Sequence, residues 1–425
     1  MKRPSISSIV WFALFLDTTA VAMLLPVLPN LLQQHLNGNI SLAASYYSLF
    51  LTIAGIILYV VGPIQAALSD MYGRKRMLIT ATAGSALSYL CLALAPNITL
   101  LLLAQILFAI SGASSPVASC VIADRSDDTT RSKNFSLLAS MHMMGYIVGT
   151  SLGGIFGQSS LQLALLTAVF CSLTAMALFC FFMEESRPRA AQPKRKLTFE
   201  NINPISASKF LFSKPAIAEF NFVMLSADFA FQAFLSTWVL FTTLKFHWSI
   251  AQAGSSLSLE GLFGIIAQTL LMRFALPRLG VRKTVFFGLT LDALALLLYN
   301  YADGSIFIAA IIAIQCAGCA VRPTCTAALT ETVKPEEQSK LQGAIGSQYA
   351  LTSLVGPLLG TWLFSYYTSS AATVYFPGIS MFVGFCALVA AAGVTARPWL
   401  STIFAQKIQA PHFVRATEEQ RSSSD

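Results

Sequence analysis

Residues 69–76 read Ser-Asp-Met-Tyr-Gly-Arg-Lys-Arg, and residues 276–283 read Leu-Pro-Arg-Leu-Gly-Val-Arg-Lys. The two stretches stand 207 residues apart, and the offset holds without a gap when residues 60–165 are laid over 267–372. Gly73 meets Gly280, Lys75-Arg76 meets Arg282-Lys283, Pro116 meets Pro323 and Asp124 meets Glu331. Ser132-Lys133 meets Ser339-Lys340, and Gly149 and Gly153 meet Gly356 and Gly360. The matched residues shape the backbone or carry charge, the kinds that drift least by accident. One half of the chain is a copy of the other. In an apolar chain, such a duplication points to a transporter whose substrate path lies between the halves.

The apolar character is plain in the composition. Hydrophobic residues make up 55% of the 425 and charged residues 11%, against about a quarter charged in a soluble globular protein. A membrane span needs about 20 largely apolar residues, because an unpaired backbone group in lipid costs several kcal/mol. Twelve such stretches can be read, near 9–34, 43–69, 77–95, 98–123, 134–158, 162–183, 216–243, 250–274, 283–301, 304–330, 342–366 and 373–396. The first is interrupted by Asp17 and has no small-residue cleavage site after it, so it is expected to stay as a span rather than act as a signal peptide. The expected organisation is a six-helix bundle over 1–183, a cytoplasmic linker over 184–215, a second bundle over 216–396 and a cytoplasmic tail over 397–425. The tail, polar from Ala410 to Asp425, reads as disordered.

The net charge of +8 sorts by loop. Cations gather at Lys2-Arg3, Arg74 to Arg76, Arg125 to Lys133, Arg187 to Lys214, Arg278 to Lys283, Lys334 to Lys340 and after Arg397, whereas the alternate loops hold only Lys245. Basic loops stay on the cytoplasmic side, so both termini are expected inside. A nucleic-acid surface would need these cations on one soluble face, which their spacing forbids. No G-x-x-x-x-G-K-[ST] loop is present to cradle ATP phosphates, and no soluble stretch is long enough for a catalytic domain. All eight cysteines fall in the apolar stretches, and Cys316-x-x-Cys319 has no second Cys or His pair beside it. Packing is its expected use, with neither metal nor cofactor implied.

The segment from Gly62 to Arg76 carries the sharpest local motif. A tight turn at Gly73 brings two helix ends together, with Asp70 near the end of one and Arg74-Lys75 opening the next. That spacing would let Asp70 and Arg74 pair and latch neighbouring helices at the cytoplasmic side. The segment resembles the D-x-x-G-R-[KR] loop of the major facilitator superfamily, and the twelve stretches, long central loop and internal repeat are similar to that family's plan. The resemblance implies an all-α membrane protein, twelve transmembrane helices in two pseudo-symmetric six-helix bundles. It is strongest to the drug:proton antiporter branch that includes the tetracycline exporters. Asp17 with Leu25-Pro26-Val27-Leu28-Pro29 resembles that branch's first helix, Leu94-Ala95-Pro96 its third-to-fourth turn, and Ile122-Ala123-Asp124 the end of its fourth helix. It implies a cytoplasmic charge network of Asp70, Arg74 and Asp124, with Gly62, Gly73 and Lys75 shaping the same gate.

Three positions depart from the branch. Gln105 stands where relatives carry an Arg, Gly149-Thr150-Ser151-Leu152-Gly153-Gly154 lacks the proline of the antiporter run, and Ser88 replaces an acidic residue before Tyr89. Tetracycline itself is therefore not the expected substrate, and proton coupling must use other groups.

Charges at membrane depth supply them. Such a group costs a few kcal/mol on insertion scales unless it finds a partner, a wet cavity or a proton. Asp17 lies 14 residues past Arg3, about 21 Å along a helix and near mid-bilayer. Asp228 lies 14 residues past Lys214, at a comparable depth. Spans one and seven line the central cavity in the resembled family, so Asp17 or Asp228 is the expected protonation site; the alternative is a carboxyl capped by a neighbouring Ser or Thr. Glu260, Asp292 and Arg322 form a second group, with Glu260 the expected partner of Arg322, either as a fixed clamp or around a substrate anion. His142 is a further proton ligand or a packing histidine. Gly145, Gly149, Gly153 and Gly154 in span five, with Gly346, Gly356 and Gly360 in span eleven, are expected to let helices approach closely at the moving interface, or to give static tight packing; both can hold. Phe222, Phe229, Phe231, Phe234 and Trp238 could line a greasy substrate wall or face lipid.

The reading is a secondary transporter, not an enzyme, that moves a small organic molecule outward by alternating access. Protons couple the step, the chain works as a monomer in lipid, and the site is a bacterial cytoplasmic (inner) membrane. Uptake of a metabolite or siderophore-like anion anchored on Arg322 is the alternative, and a non-transporting membrane receptor the more distant one.

Overall fold

Helices cover nearly all of what the computed structural model describes, which is residues 8–112, 114–126, 130–186, 215–332 and 338–397. The first half builds α1 (Ser8–His35), α2 (Ile40–Tyr72), α3 (Arg74–Leu94), α4 (Ile98–Ser111), α5 (Ser114–Arg125), α6 (Arg131–Ser159) and α7 (Leu161–Phe182). The second half builds α8 (Pro215–Phe246), α9 (Ile250–Leu270), α10 (Leu276–Leu298), α11 (Ser305–Gln315), α12 (Val321–Thr332), α13 (Gln338–Thr368) and α14 (Ile379–Arg397). Span four is split into α4 and α5 around Gly112, and span ten into α11 and α12 by a 3₁₀ turn over Cys316–Ala320. A π-helical turn at Leu271–Ala275 joins α9 to α10. Most of the expected linker (184–215) and tail (397–425), namely 187–214 and 398–425, lies outside the described residues, as do the side chains of Asp70 and Glu331.

Among the described residues, eight helical stretches are long and apolar enough to cross a bilayer: 10–35 of α1, 40–61 of α2, α3, 133–159 of α6, α7, 217–246 of α8, 306–330 through α11 and α12, and α14. The remaining four spans fall short for visible reasons. The fourth is broken at Gly112, α9 is rich in Ser and Gly, and α10 opens on Arg278, Arg282 and Lys283. The α13 sequence is studded with Gln, Ser and Tyr. Their polarity is buried against protein instead of lipid, as for Ser258 and Gln348.

Local chemistry sets the helix ends. Asn39 and Asn97 accept from the backbone N–H of Leu42 and Leu100, each at 2.9 Å, and so open α2 and α4. Ser249 and Gln252 form a reciprocal capping box at α9. The helix corners copied by the repeat share one backbone conformation: Gly73 has φ 98° and ψ 147°, and Gly280 has φ 75° and ψ 171°. This region is essentially closed to residues with a Cβ, which is why glycine recurs there.

Lys245, the exception to the loop-charge pattern, is held in place. Its ammonium donates to the carbonyls of Tyr299 (3.0 Å) and Asn300 (2.5 Å) at the end of α10, and it sits over the rings of Phe241 and Phe246. Cations favour the carbonyl end of a helix, so this one is consumed by capping.

Among the described residues the halves meet chiefly along two helix pairs, α2 with α13 and α6 with α9. In the first pair Ser45 bonds Ser365 at 2.5 Å, the hydroxyls of Ser41 and Ser48 donate to the carbonyls of Ser365 and Leu358, and Gly55 backs onto Leu354. In the second, Gly154 and Gly254 approach each other directly, and Ser258 bonds Thr150, Ser151 and the Ile147 carbonyl. These contacts lie toward the loops at 36–39, 160, 247–249 and 369–378, away from Gly73 and Gly280. The halves are held together toward that face.

Of the two uses expected for the glycines, packing within a half is the one their contacts show, Gly154 excepted. A Cβ on Gly145, Gly149 or Gly153 would strike Thr18, the Thr19 carbonyl or Met23 of α1, in the same half. A Cβ on Gly356 or Gly360 would strike Gln232 or Ala233 of α8, again in the same half. These glycines therefore seat span five on span one and span eleven on span seven. The repeat copies this packing: Gly149 and Gly356 do the same work, as do Gly153 and Gly360. Gly154 is the member of the span-five set that faces the other half, and nothing lies within 4 Å of a Cβ on Gly346.

The span-seven aromatics divide between core and outer surface. Phe234 and Trp238 are fully buried in the core of the second half, Phe234 stacked on Tyr299 and Trp238 edge-on to it, and the Trp238 indole N–H donates to Ser256 at 2.8 Å. Phe222 and Phe231 point outward.

Candidate membrane-embedded charge sites

In each half, a buried carboxylate on the first helix is tied to the fourth. In the first half Asp17, on α1, accepts from the Ser114 hydroxyl of α5 at 2.6 Å. This is the capped-carboxyl arrangement allowed for at that position. In the second half Asp228, on α8, pairs with Arg322 at the start of α12. Arg322 is the repeat partner of Ser115, one residue from Ser114, so both halves make the tie at equivalent depth with different chemistry.

Arg322 therefore pairs with Asp228, and the expectation of Glu260 as its partner is corrected. The reason is geometric: Arg322 opens α12 beyond the 3₁₀ turn, on the side of span seven, whereas Glu260 lies against Cys316 at the start of that turn. The guanidinium also stacks over the Tyr349 ring of α13, 4.4 Å from its centroid. Gln232 donates to Ser353 at 2.6 Å on the same side of α8 and α13. The Asp228 side chain is 9% exposed and that of Arg322 is 35% exposed, so the carboxylate is enclosed and the cation is the reachable partner.

Glu260 has a different partner. The Tyr146 hydroxyl of α6 donates to its Oε2 at 3.0 Å, across the boundary between halves. Asp292 of α10 presses onto Gly318 in the 3₁₀ turn, where a Cβ would lie 2.5 Å from its Oδ2. Asp292 and Glu260 are near enough to interact electrostatically. No cation contacts either carboxyl among the described residues. Gln105 and His142 join none of these clusters. Gln105 is buried on α4 with its Oε1 unbonded among the described residues, and His142 is half-buried on α6.

At the opposite face the turn at Gly73 is built as a charge network. Arg74 is buried, its Nε donating to Asp124 at 3.1 Å and its Nη1 to Ser69. Glu185, just past α7, accepts from the backbone N–H groups of Arg74 (2.8 Å) and Lys75 (3.2 Å), placing an anion on the N-terminus of α3. All these residues belong to the first half. In the second half Arg282, the repeat partner of Lys75, makes a two-pronged ion pair with Glu219 of α8 at 2.8 and 3.0 Å.

Sequence reading missed Ser114, Tyr146, Glu185 and Tyr349. The repeat held a signal for Ser114, since Arg322 falls within one residue of its counterpart. Nothing in the local sequence marks Tyr146 or Tyr349, because each acquires its partner only when helices distant in sequence are packed.

Comparison with known proteins places this geometry. The model of the Major Facilitator Superfamily matches residues 10–277 and 220–403. The class C tetracycline resistance protein of Escherichia coli is 28% identical over 384 residues, which cover 90% of this chain and 94% of that protein. Among solved structures, the nucleoside transporter NupG superposes with a TM-score of 0.69 at 14% identity, covering 92% of this chain and 98% of that one. The human organic anion transporter MFSD10 superposes with a TM-score of 0.67 at 20% identity, covering 91% and 98%.

Proposed function

Since the chain belongs to the Major Facilitator Superfamily, we propose that it is a proton-coupled efflux transporter in which Asp228 is the group that proton and substrate contest. It is a multi-pass membrane protein and a secondary transporter, with drug-efflux proteins among its relatives. The buried Asp228–Arg322 pair carries the reading. It joins the first and fourth spans of one half at membrane depth and has an accessible side. A proton on Asp228 leaves Arg322 a free cation. A substrate with a cationic or donor group can bind Asp228 only when that proton is absent, so substrate and proton exclude one another, which is antiport. Asp17, held by Ser114, is the second protonation candidate.

Arg322 being the more exposed partner supports the alternative traffic. An acidic substrate would bind Arg322 once Asp228 is protonated, so proton and anion would travel together, inward. The sign of the pH effect separates the two. Substrate binding weakens as pH falls for antiport and strengthens for symport.

In inverted vesicles of a bacterial inner membrane, an acid-inside gradient should drive accumulation of exported substrates, found by screening drugs, amino acids and iron chelators for growth rescue. Asp228→Asn should remove gradient-driven accumulation, leaving downhill flux, whereas Asp17→Asn should retain most of it. Full coupling in both variants would end the assignment. The charged loops support a cytoplasmic side for Gly73, Gly280, both termini and the Arg74–Asp124 network; in that orientation the face where the halves meet is external and the conformation is inward-facing. No enzymatic step is invoked, and the unit of function is the monomer in its bilayer.

A further inference from the structure

We propose that Tyr146 is a positioning residue for proton coupling: it holds the external face shut by reading the charge on Glu260. The inference deepens the transport reading and rests on it for the direction of opening.

Among the described residues, the hydrogen bond from Tyr146 to Glu260 crosses between halves and ends on a carboxyl; those of Ser41, Ser45, Ser48, Thr150, Ser151 and Ser258 that cross join hydroxyls and carbonyls. The contact is built for its purpose. Gly261 lies beneath the Tyr146 ring, where a Cβ would sit 3.0 Å from the ring Cδ1 and 2.8 Å from Ile147. Any side chain there would lift the ring and its hydroxyl off Glu260. The acceptor is also anchored from behind: the Cys316 thiol donates to the Glu260 carbonyl at 3.4 Å.

The groups facing Glu260 are Tyr146 from α6, Asp292 and Tyr299 from α10, and Cys316 and Cys319 from the 3₁₀ turn. His142 lies one turn before Tyr146 on α6. None of these supplies a cation bonded to Glu260 among the described residues. Two carboxyls sharing a low-dielectric site cannot both stay charged, so a proton arriving here has two homes, Glu260 and Asp292. With Glu260 ionised, the bond from Tyr146 is charge-assisted, and such bonds are roughly twice as strong as neutral ones. With Glu260 protonated, the bond from Tyr146 loses its charge assistance, and the tie weakens. The proton moves from solvent to the Glu260 carboxylate, and no covalent bond between heavy atoms changes.

The test reads the latch without substrate. Spin labels at Ser159 and His247, in a chain with exposed Cys180 and Cys386 replaced by Ser, report the α6–α9 separation at the external face in nanodiscs. Between about pH 8 and about pH 5.5 the ratio of closed to open populations should fall about fivefold, the effect of weakening one charge-assisted bond. Glu260→Gln should show the low-pH distribution throughout. Tyr146→Phe should abolish the pH response, and Glu260→Asp should restore part of it. A pH response that survives both Tyr146→Phe and Glu260→Gln would overturn the proposal, as would a closed distribution for Glu260→Gln at low pH. Asp228→Asn should keep the response, so the latch and the Asp228 reading fail separately.

Discussion

Replacing Arg322 by Ala should abolish transport and destabilise the protein more than replacing Arg322 and Asp228 together. The single change strands an enclosed carboxylate whose cation has gone. Removing one partner of a fully buried pair costs about 3–5 kcal/mol. Arg322 is one-third exposed, and solvent screening lowers the expectation to about 2 kcal/mol. The double variant, Arg322→Ala with Asp228→Asn, leaves no orphan charge and should fall within about 1 kcal/mol of the parent while remaining inactive. Thermal unfolding of purified protein, read beside vesicle transport, gives both numbers. A single variant as stable as the double would mean that the pair is hydrated enough to matter little.

The largest effect on stability alone should come from glycines that carry helix packing. Gly153→Ala places a methyl 2.6 Å from the Met23 carbonyl oxygen and 2.8 Å from its Cα, both backbone atoms that cannot turn aside. Gly149→Ala runs into the Thr19 carbonyl, and Gly356→Ala meets the Gln232 Cβ at 2.6 Å. Span five would have to lift from span one, at a cost of about 1–3 kcal/mol. Gly346→Ala is the control. Its Cβ meets nothing within 4 Å, so the helix preference for alanine should make it neutral or stabilising by up to about 1 kcal/mol. If all four alanines behaved alike, close helix approach would not be the reason for these glycines.

The helical plan is legible because it rests on features the chain carries locally. Apolar length marks the spans, and the recurrence of Gly73 as Gly280 marks two corners whose positive φ requires glycine. The depth of Asp17 and Asp228 follows from counting residues along a helix, and both are buried as expected. Partners are harder. Shared membership of the second half points Arg322 toward Glu260, yet beyond the 3₁₀ turn before α12 it pairs with Asp228. The spacing of the span-five glycines shows that one face is small but not which helix fills it, and α1 rather than the opposite half occupies that face. Tyr146 is invisible in the sequence, since its hydroxyl gains meaning only from a residue 114 positions away. The Asp70 side chain, expected beside Arg74, lies outside the described residues; Arg74 is held by Asp124 and Ser69, and Glu185 caps its backbone.

Lys245 bears on how the topology of such a chain is mapped. Amine-reactive probes applied from one side of a membrane assign a loop by whether its lysine is modified. The nitrogen of Lys245 is already committed to the carbonyls of Tyr299 and Asn300 and roofed by two phenyl rings. An impermeant succinimidyl ester added outside should leave it unmodified in the folded protein and label it after denaturation. Silence at this position would thus report occupancy of the amine, and a map that took it for shielding by the bilayer would invert one loop.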